Sequence, residues 1–195
     1  MNISRPPSKQ PIPPHAKRVF QGVIFDVHQW QQQMYDGSYA TFEGLKRPDT
    51  VSVIPITNQG KIILSEQEQP GETPFIGAIG GRVDPGEDPH TCAVRELEEE
   101  AGFKNPQLTF WFAIQLAPKI DFAAYTFFAR NWEDSGQTKL DAGEKIKLIE
   151  ISFEEFINQI VVSDRYRDFE IAFEVLKTKQ DSQKMVELRQ LFLGK

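Results

Sequence analysis

The clearest periodic signal lies between residues 89 and 101, where Ala93, Val94, Leu97 and Ala101 recur at helical spacing. Glu96, Glu99 and Glu100 fill the arc beside them, so one face of the predicted helix is core and the next is acid. Asp88 can cap its start, Pro89 suits its first position and Gly102 can close its end. Elsewhere the period shortens to two. Val19, Gln21 and Val23 alternate with Phe20 and Ile24, which predicts a strand over 18–30. The turn residues Tyr35-Asp36-Gly37-Ser38 lead into a second strand over 39–43, and the two read as an antiparallel hairpin.

Two β-rich runs, 51–56 and 61–66, flank Asn58-Gln59-Gly60, a hairpin signal expected to feed a central sheet. Runs 107–116 and 122–130 are apolar and aromatic, as strands covered on both faces are, and 146–151 reads as a further strand. A helix over 153–162 is announced by the capping box of Ser152 and Glu155. Helical periodicity over 169–177 and 183–192 predicts a C-terminal pair packed on the core or a partner. Prolines 6, 7, 11, 13 and 14 favour extended or disordered chain before the first strand.

Composition narrows the class. With 195 residues, 39% hydrophobic and 26% charged, one buried core is expected, and no apolar run approaches a membrane span. The net charge of −6 argues against a broad nucleic-acid surface. It leaves a phosphate substrate open, because carboxylates bind anions through an intervening metal ion. The single cysteine, Cys92, reads as a small packing residue, since His15, His28 and His90 show no ligand spacing with it. One cysteine and an N-terminus without the apolar core of a signal peptide point to a cytoplasmic setting.

The acidic arc has two readings. Glu is a good helix former, and a solvated charged face explains the helix taken alone. Yet Glu96 and Glu100 are like charges one turn apart, and a bound cation turns their repulsion into attraction. The preceding loop favours the second reading. Gly80 and Gly81 allow close backbone approach, Asp84-Pro85-Gly86 makes a tight turn, and Glu87 falls where it can meet Arg95.

The whole stretch, GRVDPGEDPHTCAVRELEEEAGF from Gly81 to Phe103, resembles the signature of the Nudix hydrolases at every fixed position. Gly81, Glu87, Arg95, Glu96, Leu97, Glu99, Glu100, Gly102 and Phe103 carry the match. The resemblance implies an α/β (α+β) fold, the Nudix α/β/α sandwich with a mixed sheet, with the N-terminal antiparallel hairpin and C-terminal helices appended. The expected layout is a disordered proline-rich tail at 1–16, the hairpin extension at 17–47, the catalytic domain at 48–163 and a helical extension at 164–195.

By the same resemblance the reaction is cleavage of a nucleoside diphosphate linked to a moiety X. Glu96, Glu99, Glu100 and the Gly80 carbonyl would hold Mg²⁺, with Mn²⁺ as a substitute. Gly81, Glu87, Arg95 and Gly102 would shape the loop, and Phe25, Trp30, Arg47 and Gln69 would contact substrate, with Tyr39 a further aromatic candidate. The catalytic carboxylates would be Glu99, Glu100 and Glu144. Glu144 stands outside the metal-bearing helix, in a polar loop where a bound cation does not weaken it as a base. Larger members of the family pair two subunits through an N-terminal sheet, so a homodimer is a further implication.

Pro118, fifteen residues past Phe103, and the loop before residue 146 point within the family to ADP-ribose or nucleotide-sugar substrates. Gln69 departs from that pattern, for it stands where an arginine would reach the substrate and an amide lacks the charged fork. Two rivals follow: a pyrophosphatase of aberrant nucleoside triphosphates, and a non-catalytic nucleotide sensor, which would not need all three helix carboxylates.

Overall fold

The computed structural model describes residues 3–194. Its N-terminal part is a sheet of β1 (Lys17–Gln21), β2 (Asp26–Gln33) and β3 (Tyr39–Lys46), followed by β4 (Thr50–Pro55), β5 (Ile62–Glu68) and β6 (Phe75–Gly77). Helix α1 (Pro89–Ala101) precedes β7 (Phe103–Lys104), β8 (Gln107–Ile114), β9 (Ile120–Asp121), β10 (Ala124–Arg130), β11 (Glu133–Asp134) and β12 (Lys145–Ile151). The short α2 (Phe153–Glu155), then α3 (Phe169–Thr178) and α4 (Ser182–Leu193), complete the chain. Among the described residues no helix is long and apolar enough to cross a membrane.

Strand β10 sits at the centre, parallel to β4 on one side and antiparallel to β8 on the other, so the sheet is mixed. The backbone of Ile79 to Arg82 bridges to the far edge of β4, which ties the loop before α1 to the sheet. Side-chain alternation then sorts the core into two layers. Val51, Val53, Tyr125 and Phe127 face Ala93, Leu97 and Ala101 of α1. Ile54 and Phe128 face Phe156, Ile171, Val175, Leu188 and Phe192 on the opposite side. Helices on both faces of one sheet make the α/β/α arrangement.

Several local expectations are corrected. The strand predicted over 18–30 is two strands, because the chain turns at Gly22, whose N–H donates to the Phe25 carbonyl at 2.9 Å. A Cβ at Gly22 would lie 2.6 Å from that oxygen, so the turn depends on the missing side chain. The appended hairpin is therefore a sheet ordered β1-β2-β3-β9, with β3 and β9 parallel. The hairpin predicted around Asn58-Gln59-Gly60 closes only at its base, through Ile56 and Ile62. Beyond that bridge each strand has a longer ladder elsewhere, β4 with β10 and β5 with β12.

Ser152 accepts the Glu155 N–H at 3.1 Å as a capping box requires, but the helix predicted over 153–162 widens after one turn. Residues Phe156–Ile160 are π-helical, with Val161 N–H bonded to the Phe156 carbonyl. Among its described residues the proline-rich N-terminal segment has no regular secondary structure, and it is tied to the body. Ile3 packs against the α1-side core, and Gln115 Nε2 donates to the Pro6 carbonyl at 2.7 Å.

The C-terminal helices are part of the core. Phe192 of α4 is fully buried, its ring 4.6 Å from that of Phe128, 5.3 Å from Phe153 and 5.5 Å from Trp111. Phe173 of α3 is instead half exposed on the outer face. Phe192→Ala is expected to lower the unfolding free energy by about 3–5 kcal/mol in a denaturant titration. Phe173→Ala in the same assay is expected to change it by less than about 1 kcal/mol. Equal effects would mean that α4 does not close the core.

Candidate active site

Helix α1 starts as its sequence demands: Asp88 Oδ1 accepts the N–H groups of His90 and Thr91 at 3.0 and 3.2 Å. It ends at Gly102, whose φ of 72° is left-handed and whose Cβ would lie 2.7 Å from the Gln137 carbonyl. Between these caps the central group is the Arg95 guanidinium. Its Nε and Nη2 each donate at 3.0 Å to the two oxygens of Glu87, a bidentate pair that folds the loop back on the helix. Nη1 donates to Glu96 at 2.8 Å and Glu99 at 3.0 Å, and Nη2 also reaches the Arg82 carbonyl at 3.0 Å. Arg95 holds the Glu87 carboxyl below its usual pKa.

Cys92 is fully buried under this knot and its Sγ lies 3.4 Å from the Arg82 carbonyl, in keeping with a packing role. Burial pushes its thiol pKa up, so it stays protonated at neutral pH.

Glu100 lies deeper. Its Oε2 accepts the Gly80 N–H at 3.2 Å, and burial, followed by the charge of Glu96, pushes its pKa up to about 8. Burial also raises Glu96, against the pull of Arg95, and the charges of Glu99 and Glu144 add to the rise. A Cβ at Gly81 would meet Glu96 Oε1 at 2.3 Å, so the glycine makes room for that carboxylate. These are oxygen donors short of positive charge, the donor chemistry of a hard divalent cation. Among the described residues no three His, Cys, Asp or Glu side chains already form a closed ligand group. Arg95 holds Glu96 and Glu99 from one side while Glu100 is tethered to Gly80 on the other.

Glu144 comes from the loop before β12 and acts electrostatically on both Glu96 and Glu100. Its Oε2 accepts the Asp141 N–H at 3.2 Å, which fixes the loop conformation. Gln69 lies at the adjoining end of β5, where Gly143 packs against Pro70 and Gln69 Nε2 reaches Gln67 at 3.4 Å. Arg47 lines a separate cleft of about 430 Å³ whose other wall is Val83 and Asp84 of the signature loop. Its guanidinium carbon lies 4.8 Å from the Phe122 ring centroid and 5.7 Å from that of Phe25. Among the described residues its buried Nε has no hydrogen-bond partner, and burial and the nearby charge of Arg82 lower its pKa.

Trp30 is not brought to this cleft. It is buried in the N-terminal sheet, its ring 6.0 Å from Phe42, and Tyr39 is exposed on the neighbouring strand.

Sequence reasoning missed the far side of the site. Asp168, at the start of α3, turns its carboxylate from its own helix and accepts the Ala78 N–H at 2.6 Å. Ser52 Oγ also donates to it at 3.4 Å, and burial with the charge of Glu170 pushes Asp168 up to about 7. Its charge contributes to the rise of Glu100. An aspartate ahead of an apolar helix reads as a cap, and nothing in its neighbours signals a contact ninety residues away. Arg82 and Phe122 were missed because each lies inside a run read for something else, Arg82 at a variable position of the signature and Phe122 at the head of a strand read as core.

Comparison with known proteins agrees with this geometry. The NUDIX domain family profile matches residues 46–169. The ADP-ribose pyrophosphatase of Bacillus subtilis (strain 168) is 28% identical over 162 residues, which cover 82% of this chain and 87% of that protein. The methanol dehydrogenase activator of Bacillus methanolicus is 29% identical over 148 residues, 74% of this chain and 80% of its own. A crystal structure of an ADP compounds hydrolase superposes with a TM-score of 0.70 at 21% identity, covering 91% of this chain and 98% of that one, which shows the shared fold. With a family match over most of the chain and the Arg95-centred loop and helix in place, the protein belongs to the Nudix family.

Proposed function

We propose that this protein hydrolyses the diphosphate bridge of ADP-ribose or a related nucleotide sugar, releasing a nucleoside monophosphate and phosphorylated X. The observation that carries the reaction is the convergence of Glu144 from the β12 loop on Glu96 and Glu100 of α1, near enough that its charge helps to raise both of them. The substrate class is supported by the likeness to an ADP-ribose pyrophosphatase over most of both chains.

Glu96, Glu99, Glu100 and the Gly80 carbonyl are the groups that would hold Mg²⁺, or Mn²⁺ in its place. Such an ion supplies charge neutralisation at the diphosphate and orients it. The protein's own residues do the rest. Arg47, flanked by Phe25 and Phe122, offers to the anionic substrate a guanidinium whose Nε has no hydrogen-bond partner among the described residues. Arg95 and Glu87 keep the helix carboxylates in register, and Glu144 takes the proton of the attacking water. Gln69 borders the Glu144 loop as a neutral contact. Exposed Val19 and Phe20 of β1, with Val23 in the turn that follows, are the surface a second copy would cover.

A substrate panel with Mg²⁺ tests the reading: ADP-ribose and nucleotide sugars are expected to be cut faster than nucleoside triphosphates. A preference for a triphosphate favours the first rival, and binding without turnover favours a sensor. Glu144→Gln is expected to lower kcat by about 10²-fold or more while metal affinity by calorimetry barely changes. A loss under about fivefold would return the role of base to the helix, with Glu99 next in line.

Glu100→Gln is expected to abolish turnover and yet stabilise the metal-free protein at alkaline pH. A carboxyl whose folded pKa is raised makes the folded state hold its proton more tightly. Stability therefore falls as pH rises from about 4.5 to about 8, and the neutral amide of the variant escapes that loss. Melting curves in EDTA should coincide near pH 4 and diverge above it, the variant melting higher. A variant that melts lower at pH 9 would show that Glu100 is not a strained anion.

A further inference from the structure

Beside the carboxylate site, the cleft that holds Arg47 carries an arrangement that the hydrolytic residues do not account for. Its lining includes three carboxylates, Asp84 on the signature-loop wall and, on the wall of Arg47, the pair Asp49 and Asp121, within a pocket that should receive an anion. Neither of that pair engages Arg47, although Asp49 is two residues along the chain and the Arg47 N–H donates to the Asp121 carbonyl at 3.3 Å. Both are taken by Arg5. Its Nε and Nη2 donate to the two Asp49 oxygens at 2.9 and 3.0 Å, and Nη2 also reaches Asp121 Oδ1 at 3.0 Å. Asp49 is further fixed by the Ala123 N–H at 2.8 Å, so it cannot leave the cleft wall. The N-terminal segment delivers Arg5 to this place and is itself held there through Pro6 and Ile3.

We infer that Arg5 is a positioning residue for substrate binding, which occupies Asp49 and Asp121 so that the Arg47 guanidinium stays free for the diphosphate. The two aromatic rings fix where Arg47 lies, and Arg5 fixes what it is paired with. Without Arg5, Asp49 and Asp121 would stand uncompensated in the cleft that Arg47 lines, free to compete for it, and an entering anion would meet their two negative charges instead of a neutralised pair. The inference rests on the proposed role of Arg47, and the two can fail separately.

The test measures steady-state kinetics of the full chain with ADP-ribose and Mg²⁺. Arg5→Ala is expected to raise KM about tenfold with kcat within about twofold, and the rise should shrink as salt increases. Adding Asp121→Asn to Arg5→Ala should recover most of the lost KM, which repair of a merely structural defect would not do. In an Arg47→Ala background, itself raised in KM, Arg5→Ala should add little.

If Arg47→Ala leaves KM unchanged, the proposed role of Arg47 falls and this inference with it. If Arg47→Ala raises KM while Arg5→Ala does not, or if the two effects multiply, the inference alone is overturned. A lowered melting temperature with no rescue by Asp121→Asn would likewise reduce Arg5 to a structural tether. Should Arg5→Ala melt below the assay temperature, Arg5→Lys keeps the charge without the two-carboxylate fork, and its KM should lie between parent and alanine variant.

Discussion

One guanidinium holds the catalytic segment in shape. Arg95 donates to Glu87 through two parallel bonds and reaches Glu96, Glu99 and the Arg82 carbonyl with the remaining N–H groups. Three carboxylates within reach of one cation would otherwise repel, and the planar fork gives each a separate donor. Past its bridges to β4 the loop before α1 has little apolar burial to hold it, and there the ion-pair knot folds it onto the helix. Gly81 completes the condition, because any side chain there would strike Glu96.

Glu100 is outside the reach of that cation, and the contrast is informative. It is the most desolvated acid of the helix and has a single backbone N–H as its partner. Asp168 adds negative charge from the opposite face of the sheet while anchoring the backbone of Ala78, two residues before Gly80. The site therefore places a carboxyl without a cationic partner where a metal ion is called for, and compensates its neighbours with arginine. The same division recurs in the Arg47 cleft, where Arg5 neutralises two aspartates and leaves Arg47 open.

How much of this was legible in the sequence depends on the range of the interactions. Helix α1 and both its ends could be read because caps, proline and glycine act within a turn. The pairing of Glu87 with Arg95 was legible because only the cap residue and the first turns of α1 separate them. Strand partners were less so. The Asn58-Gln59-Gly60 turn is encoded locally, but which strands then pair is decided by competition among ladders, and β10 and β12 win it. Trp30 illustrates the limit for single residues: an aromatic on a strand has the same pattern whether it faces a ligand or, as here, Phe42. Arg5, Asp168 and Arg82 act across sequence gaps that no periodicity spans.

The burial of Phe192 against Phe128, Phe153 and Trp111 also shapes the route by which the molecule forms. Contacts of such long sequence separation are made only after a large loop has closed, and chains rich in them fold slowly. The sheet face beneath α4 must wait, with its aromatic rings still wet, until that helix has been synthesised and docks. Until then it is an exposed aromatic surface, and the interval before docking is when self-association competes with folding.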